Sequence, residues 1–322
     1  MNHAGTIADD ILLAFLSVSL IIFSILLIII CRKKPIESEE TLPVKPSAQA
    51  YSLTDVDAAT DGFNHGRIIG KGRLGTVYAA IMARGELVAV KRIHPRLVLS
   101  NAGFGFSSIV KSLSLADHPN IVPIVGFSQA PGERIILTEF VDTVSLDFYL
   151  HQNSDGEWLL DWERRLRIAA GAARGLEYLH EGVAPHIVHG CVKASNILID
   201  VRFCARVCDF GLSFLVPQGK GGEGACKEGD VYAFGLVLLE LLSGRRSSEE
   251  GFLLVEWALP LIKTMKYGEF LDPRLVIPSN MNPLVRLAKV ASACVGNSRT
   301  NRPSVVQVAA ILNNLEVEIC VR

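Results

Sequence analysis

The chain has no Cys-x-x-Cys pair. Its seven cysteines are scattered, and the spacing of Cys204 and Cys208 is too weak for a metal clip, which sets aside zinc-ribbon classes. The odd count argues against a disulfide framework. Excess charge is missing as well: the net charge is −1, so there is no basic footprint for nucleic acid. No internal repeat is visible, which excludes solenoid arrays. Hydroxyl groups run out in one place, because Ser213 is the one Ser, Thr or Tyr between Gly211 and Val231.

What the chain does have is a long apolar run, Ile11–Ile30, twenty uncharged residues that match the thickness of a bilayer core. No polar face interrupts it, as a buried core helix would require. A signal peptide is disfavoured by Asp9 and Asp10 ahead of the run and by the lack of an A-x-A-like site behind it. Cys31-Arg32-Lys33-Lys34 follows, a positive flank that stays on the cytoplasmic side. The expected layout is residues 1–10 outside, 11–30 as one transmembrane helix, and the remainder inside. Cys31 is either a palmitoylation site at that boundary or a plain thiol. Residues 31–50, with Pro35, Pro43, Pro46, Glu37, Glu39 and Glu40, read as a solvated juxtamembrane linker. From Tyr51, YSLTDVDAATDGF predicts a short amphipathic helix capped by Thr54 or Asp55.

The most informative stretch is His186–Gly211, HIVHGCVKASNILIDVRFCARVCDFG. Its spacing follows H-R-D-L-x-x-x-N and then D-F-G. His189, Lys193, Asn196, Asp209, Phe210 and Gly211 occupy the motif positions, whereas Gly190 replaces the Arg and Cys191 replaces the catalytic Asp. Upstream, Gly70-Lys71-Gly72-Arg73-Leu74-Gly75-Thr76-Val77 is a glycine loop whose backbone amides can approach phosphates. It is followed by Leu87-Val88-Ala89-Val90-Lys91, the strand pattern that carries a phosphate-binding Lys.

With YSLTDVDAATDGF, LDWERRLRIAAGAARGLEYLHE, DVYAFGLVLLELLSGRR, LVEWALPLI, LDPRL and NRPSVVQVAAIL, these motifs resemble the plant receptor-like kinases of the Pelle-related group over roughly residues 51–318. The resemblance implies an α+β, two-lobed kinase-like domain, with an N-lobe at 51–141, a C-lobe at 142–318 and a tail at 319–322. It implies ATP and Mg²⁺ as cofactors. Gly70, Gly72, Gly75 and Lys91 would face the phosphates, Val77, Ala89 and Leu198 the adenine, and Glu139 and Val141 the hinge. Asn196 and Asp209 would hold the metal. Thr138, before Glu139-Phe140-Val141, implies an open back pocket unless it is a plain half-buried strand residue.

Departures from the family fall on chemistry. Aligning its helix C pattern puts Ile109 where a Glu should pair with Lys91, while Leu113, Phe210 and His189 can still form the apolar spine between lobes. The segment from Asp209 to Asp230 is short and lacks the G-T-x-G-Y loop and A-P-E. Counting back from Asp230 reaches Gln218 in Val216-Pro217-Gln218; either that tripeptide is a degenerate A-P-E or the motif is deleted, and neither leaves a carboxylate at the place. Arg302, of Arg302-Pro303-Ser304-Val305, is therefore expected to be buried without its carboxylate, turned to solvent, or paired with Glu223 or Glu228. Cys191 is a poor base, since a free thiol with pKa about 8.5 is a few per cent thiolate at neutral pH. The expectation is a membrane-anchored pseudokinase, single-pass with its kinase-like region cytoplasmic, at the plasma membrane. It would bind ATP and act as a scaffold or allosteric partner of other membrane-associated kinases or signalling proteins. A weakly active Ser/Thr kinase and a nucleotide-free scaffold remain open alternatives.

Overall fold

Alternation of side chains along Leu87–Ile93 explains how the first lobe forms. Val88 and Val90 are buried on one face, while Ala89 and Lys91 lie half-buried on the other, as the two-residue repeat of a strand requires. The computed structural model describes residues 18–21, 23, 48–100, 105–153, 159–216, 224–247 and 252–320. In chain order its elements begin with β1 (Gln49–Ala50), α1 (Leu53–Ala59), β2 (Ile68–Lys71), β3 (Gly75–Ile81) and β4 (Leu87–Ile93). Next come α2 (Pro95–Ser100), α3 (Phe106–Leu113), β5 (Ile124–Ala130) and β6 (Glu133–Glu139). These strands make a six-stranded sheet in the order β1-β5-β6-β4-β3-β2. The register sets Val77 opposite Lys91 and Ala89 opposite Thr138, so four expected site residues share one patch of sheet.

Two sequence expectations are corrected here. Helix α1 is capped by Ser52, whose hydroxyl accepts from the Asp55 amide at 3.1 Å, rather than by Thr54 or Asp55. The folded unit also starts before Tyr51: β1 pairs in parallel with β5, and the Ala48 amide donates to the Ser114 hydroxyl at 2.8 Å. The end of the stretch read as linker therefore belongs to the sheet.

The second lobe contains α4 (Trp162–Glu177), β7 (Ile197–Ile199), β8 (Ala205–Val207), α5 (Lys227–Ser243), α6 (Phe252–Lys263), α7 (Tyr267–Phe270), α8 (Asn282–Cys294) and α9 (Val305–Cys320). Asp161 starts α4 by accepting from the Arg164 amide at 2.8 Å. Most of α4 is buried from Arg165 to Leu176, as expected of a helix surrounded by others. Burial of Leu166, Ile168 and Leu176 contributes about 2 kcal/mol each. Strands β7 and β8 form a small antiparallel hairpin that carries the cleft residues Asn196 and Asp209 at its two outer ends.

Residues 46–322 form one compact unit and 1–45 another. Within the latter, Val18–Ile21 and Phe23 are helical and exposed. The rest of Ile11–Ile30, together with Cys31 and most of the linker, lies outside the described residues. Among the described residues no helix is long and apolar enough to cross a membrane.

Candidate functional site

A cavity of about 790 Å³ lies between the two lobes. Its lining gathers Gly70, Gly72, Gly75, Val77, Ala89, Lys91, Thr138, Glu139, Val141, Cys191, Lys193, Asn196, Leu198 and Asp209. The expected site residues are thus brought together, with His189 the exception: it is wholly buried behind the wall. Thr138 is half-buried and lines the cavity. Gly75 has a structural duty beside any role toward phosphate. A Cβ there would sit 2.0 Å from the Arg92 carbonyl oxygen, so the closeness of β3 to β4 itself demands glycine. The hinge carboxylate of Glu139 is held by Arg206, with Nη1 and Nη2 donating at 2.6 and 2.7 Å.

Helix α3 supplies no acid. It reads FSSIVKSL, with Phe106, Val110 and Leu113 buried and Ile109 packed half-buried against the core. Lys91 takes another counter-charge, the Asp209 carboxylate, in an ion pair with both side chains mostly buried. The helix C partner is absent, as Ile109 implies, and Asp209 is the counter-charge in its place. The spine residues Leu113, Phe210 and His189 are all buried, and the Gly211 amide donates to the His189 carbonyl at 3.1 Å.

That ion pair bears on the expected metal site. Asp209 is already neutralised by Lys91, and the Asn196 Nδ2 donates to the Cys191 carbonyl at 2.8 Å, leaving its Oδ1 as the second oxygen. Among the described residues no cluster of three or more His, Cys, Asp or Glu side chains is placed to hold a metal. Asp209 and Asn196 would offer Mg²⁺ two oxygen ligands beside phosphate and water, and one of the Asp209 oxygens is already engaged by Lys91.

The loop bearing Cys191 is fixed from behind by Asp230, in the first turn of α5. Its carboxylate accepts from the His180 Nε2 at 2.8 Å, the His189 amide at 2.7 Å and the Gly190 amide at 2.8 Å. His189 Nδ1 accepts from the Cys191 amide at 3.2 Å, and burial pushes the His189 imidazole below its ordinary pKa, so the ring is held neutral. Cys191 presents a half-buried thiol where the family has a carboxylate. Cys208, also on the cavity wall, has its thiol pushed up by burial and by neighbouring Asp209, which makes it inert toward deprotonation.

Gly190 is bound up with the shortened segment. Its φ is +75°, and a Cβ would lie 2.9 Å from that of Ser213 and 3.2 Å from that of Ala225. The segment passes where the family's Arg would stand. Gln218 and Glu223 lie outside the described residues. Arg302 does not match the buried, unpaired picture. It is half-buried, donates from Nε to the Gly296 carbonyl at 3.1 Å and from Nη1 to the Glu228 carbonyl at 3.0 Å, and stacks 4.6 Å from the Tyr232 ring centre. Glu228 is its partner through the backbone oxygen. Among the described residues, carbonyl dipoles and a ring face take the place of the family's carboxylate.

Two features escaped the sequence reading. Asp230 had served only as a landmark for counting, although an Asp opening an apolar helix is itself a signal. The other is Arg165, buried to 1% side-chain exposure and paired with Asp272 at 2.6 Å. Nothing local in LDWERRLR tells which of its arginines turns inward.

Comparison with known proteins follows from this geometry. A family model described as protein tyrosine and serine/threonine kinase matches residues 63–221. The chain is 37% identical over 266 residues to serine/threonine-protein kinase-like protein CCR2 of Arabidopsis thaliana, covering 82% of this chain and 34% of that one. It is 33% identical over 309 residues to a PTI1-like tyrosine-protein kinase of the same plant, covering 88% and 85%. Leucine-rich repeat receptor protein kinase EMS1, also from Arabidopsis thaliana, is 35% identical over 82% of this chain and 24% of its own length. The chain thus spans well under two thirds of CCR2 and EMS1. Among solved structures, the pseudokinase domain of BIR2, an immune regulator of the RLK/Pelle family, aligns with a TM-score of 0.70 and 31% identity, over 83% of this chain and 86% of that one.

Proposed function

Because this chain belongs to the plant receptor-like kinase family and has the two-lobed kinase fold, we propose that it is a pseudokinase that binds ATP and works as a signalling scaffold or allosteric partner. The observation that carries this reading is the contrast within one cleft. The lining expected to hold a nucleotide is assembled, while Cys191 stands at the base position. General-base assistance contributes about 10²–10⁴-fold, and the shortened segment lacks the G-T-x-G-Y loop that serves the family as a peptide platform. The apolar run Ile11–Ile30 anchors the chain in the plasma membrane with the kinase-like region cytoplasmic. Its partners are other membrane-associated kinases or signalling proteins. Protease added outside intact cells should leave that region uncut, and cleavage there would reverse the topology.

The test of the nucleotide reading is thermal unfolding of the full chain with and without millimolar ATP. With ligand at a hundred times the dissociation constant, linkage gives about 2.7 kcal/mol, a rise in Tm of a few degrees for a domain this size. Lys91→Met should remove most of it. An unmoved Tm in the parent protein would favour an empty scaffold instead. Restoring the base alone is expected to fail: Cys191→Asp should transfer no measurable phosphate to peptide substrates, because Ile109 and the shortened segment are unchanged. Robust transfer by that single variant would mean that the segment still presents a substrate.

A further inference from the structure

We infer that nucleotide binding in this cleft does not need a divalent cation: the protein's own lysines neutralise the phosphates, and Mg²⁺ adds nothing to affinity. The inference rests on the nucleotide reading above and specifies its ligand as the bare polyanion.

It starts from a charge inventory of the cavity. Of the four acidic side chains in its lining, Glu139 is taken by Arg206, Asp147 pairs with Arg246 at 3.1 Å, and Asp142 lies beside the hinge. Asp209 alone stands at the end formed by the glycine-rich turn, and it is paired with Lys91. The other two anionic positions expected there are filled by Ile109 and Cys191. Against that one carboxylate stand Lys91 and Lys193, with Lys71 and Arg73 on the turn itself. The phosphate end therefore has a surplus of positive charge before any ligand enters.

Two ligand forms then face different requirements. A magnesium–nucleotide complex brings less negative charge to a surplus of cations, and the site offers its Mg²⁺ one carboxylate whose charge Lys91 already neutralises. Mg²⁺ dehydrates reluctantly and is usually held by one or two carboxylates besides the phosphates. A bare nucleotide makes no such demand. The Lys91 ammonium has three donors, so it can keep Asp209 and also donate to a phosphate oxygen. Lys193 is exposed and free to swing inward, and backbone amides of the turn supply further donors.

The deciding experiment measures ATP affinity of the full-length chain by thermal shift and by calorimetry, once in EDTA and once in excess Mg²⁺. The affinity in EDTA is expected to equal or exceed that in Mg²⁺. Asp209→Asn, which leaves Lys91 its whole charge for phosphate, should bind ATP in EDTA as tightly as the parent or several-fold tighter. Lys91→Met should lose most of the binding in both buffers. Binding seen only with Mg²⁺, and abolished by Asp209→Asn, would overturn the inference while leaving the nucleotide reading intact. No binding of ATP in either buffer would overturn both. The parent protein in the two buffers decides the matter even if a variant fails to fold.

Discussion

Replacing Asp272 with alanine is expected to lower the unfolding free energy by about 3–5 kcal/mol, the usual result of breaking a buried ion pair from one side. Arg165 is the reason. Its guanidinium donates to the Leu160 carbonyl at 2.9 Å, the Leu241 carbonyl at 2.6 Å and the Asp272 carboxylate at 2.6 Å. Without Asp272 the cation stays buried at the junction of α4 and α5 with no compensating charge on that side. Urea unfolding would show the loss as a lower midpoint at unchanged slope. A pH series supplies a second reading of the same pair. Burial pushes the Asp272 carboxyl up, but hydrogen bonds from Arg274 and the charge of Arg165 outweigh it and hold the pKa at about 2. The unfolded carboxyl lies near its ordinary value of 3.8, so between the two values the unfolded chain binds more protons. Stability from this group is complete above about pH 5 and drains away as pH falls through about 2, amounting to roughly 2.5 kcal/mol. Asp272→Ala should lack that acid limb. An unaltered limb in the variant would assign it to other carboxylates.

Asp230→Ala should be comparably severe, with a different signature. It strips the acceptor from three donors at once, the His180 ring and the amides of His189 and Gly190, in a place where Asp230 is 2% exposed. Each buried donor left unsatisfied costs roughly 1–3 kcal/mol. A total near 4 kcal/mol or more would lower Tm by about 10 °C in a domain this size. The damage should also reach the cleft, because the loop that carries Cys191 and Asn196 loses its backing. Asp230→Asn keeps one acceptor oxygen and should fall between parent and alanine variant. A melting temperature within a degree or two of the parent for Asp230→Ala would mean that the loop is held by other contacts.

How legible all this was in the sequence depends on the range of each interaction. Val77, Ala89 and Lys91 were readable because strand alternation and glycine spacing are local, and the sheet register then brings them together. Ser52 was overlooked beside Thr54 and Asp55 because all three are competent caps, and the choice rests on where the backbone turns helical. Strand β1 has two residues and no periodicity to read; it exists because an edge of β5 is available to it. The Arg165–Asp272 pair joins residues 107 apart, and no local pattern encodes such a partnership. Lys91 shows the intermediate case. Its loss of a glutamate was plain from Ile109, yet its turn to Asp209 follows only once β4 and β8 face each other across the cleft.

Gly190 also bears on evolutionary reversal. An arginine restored there would meet Ser213 and Ala225 at less than contact distance, in a backbone conformation that L side chains rarely adopt, at about 1–2 kcal/mol for the conformation alone. Ser213 and Ala225, both within the shortened segment, occupy the room that such a side chain would need. Restoring the arginine therefore calls for moving Ser213 and Ala225 as well as replacing Gly190, which is more than a one-residue change.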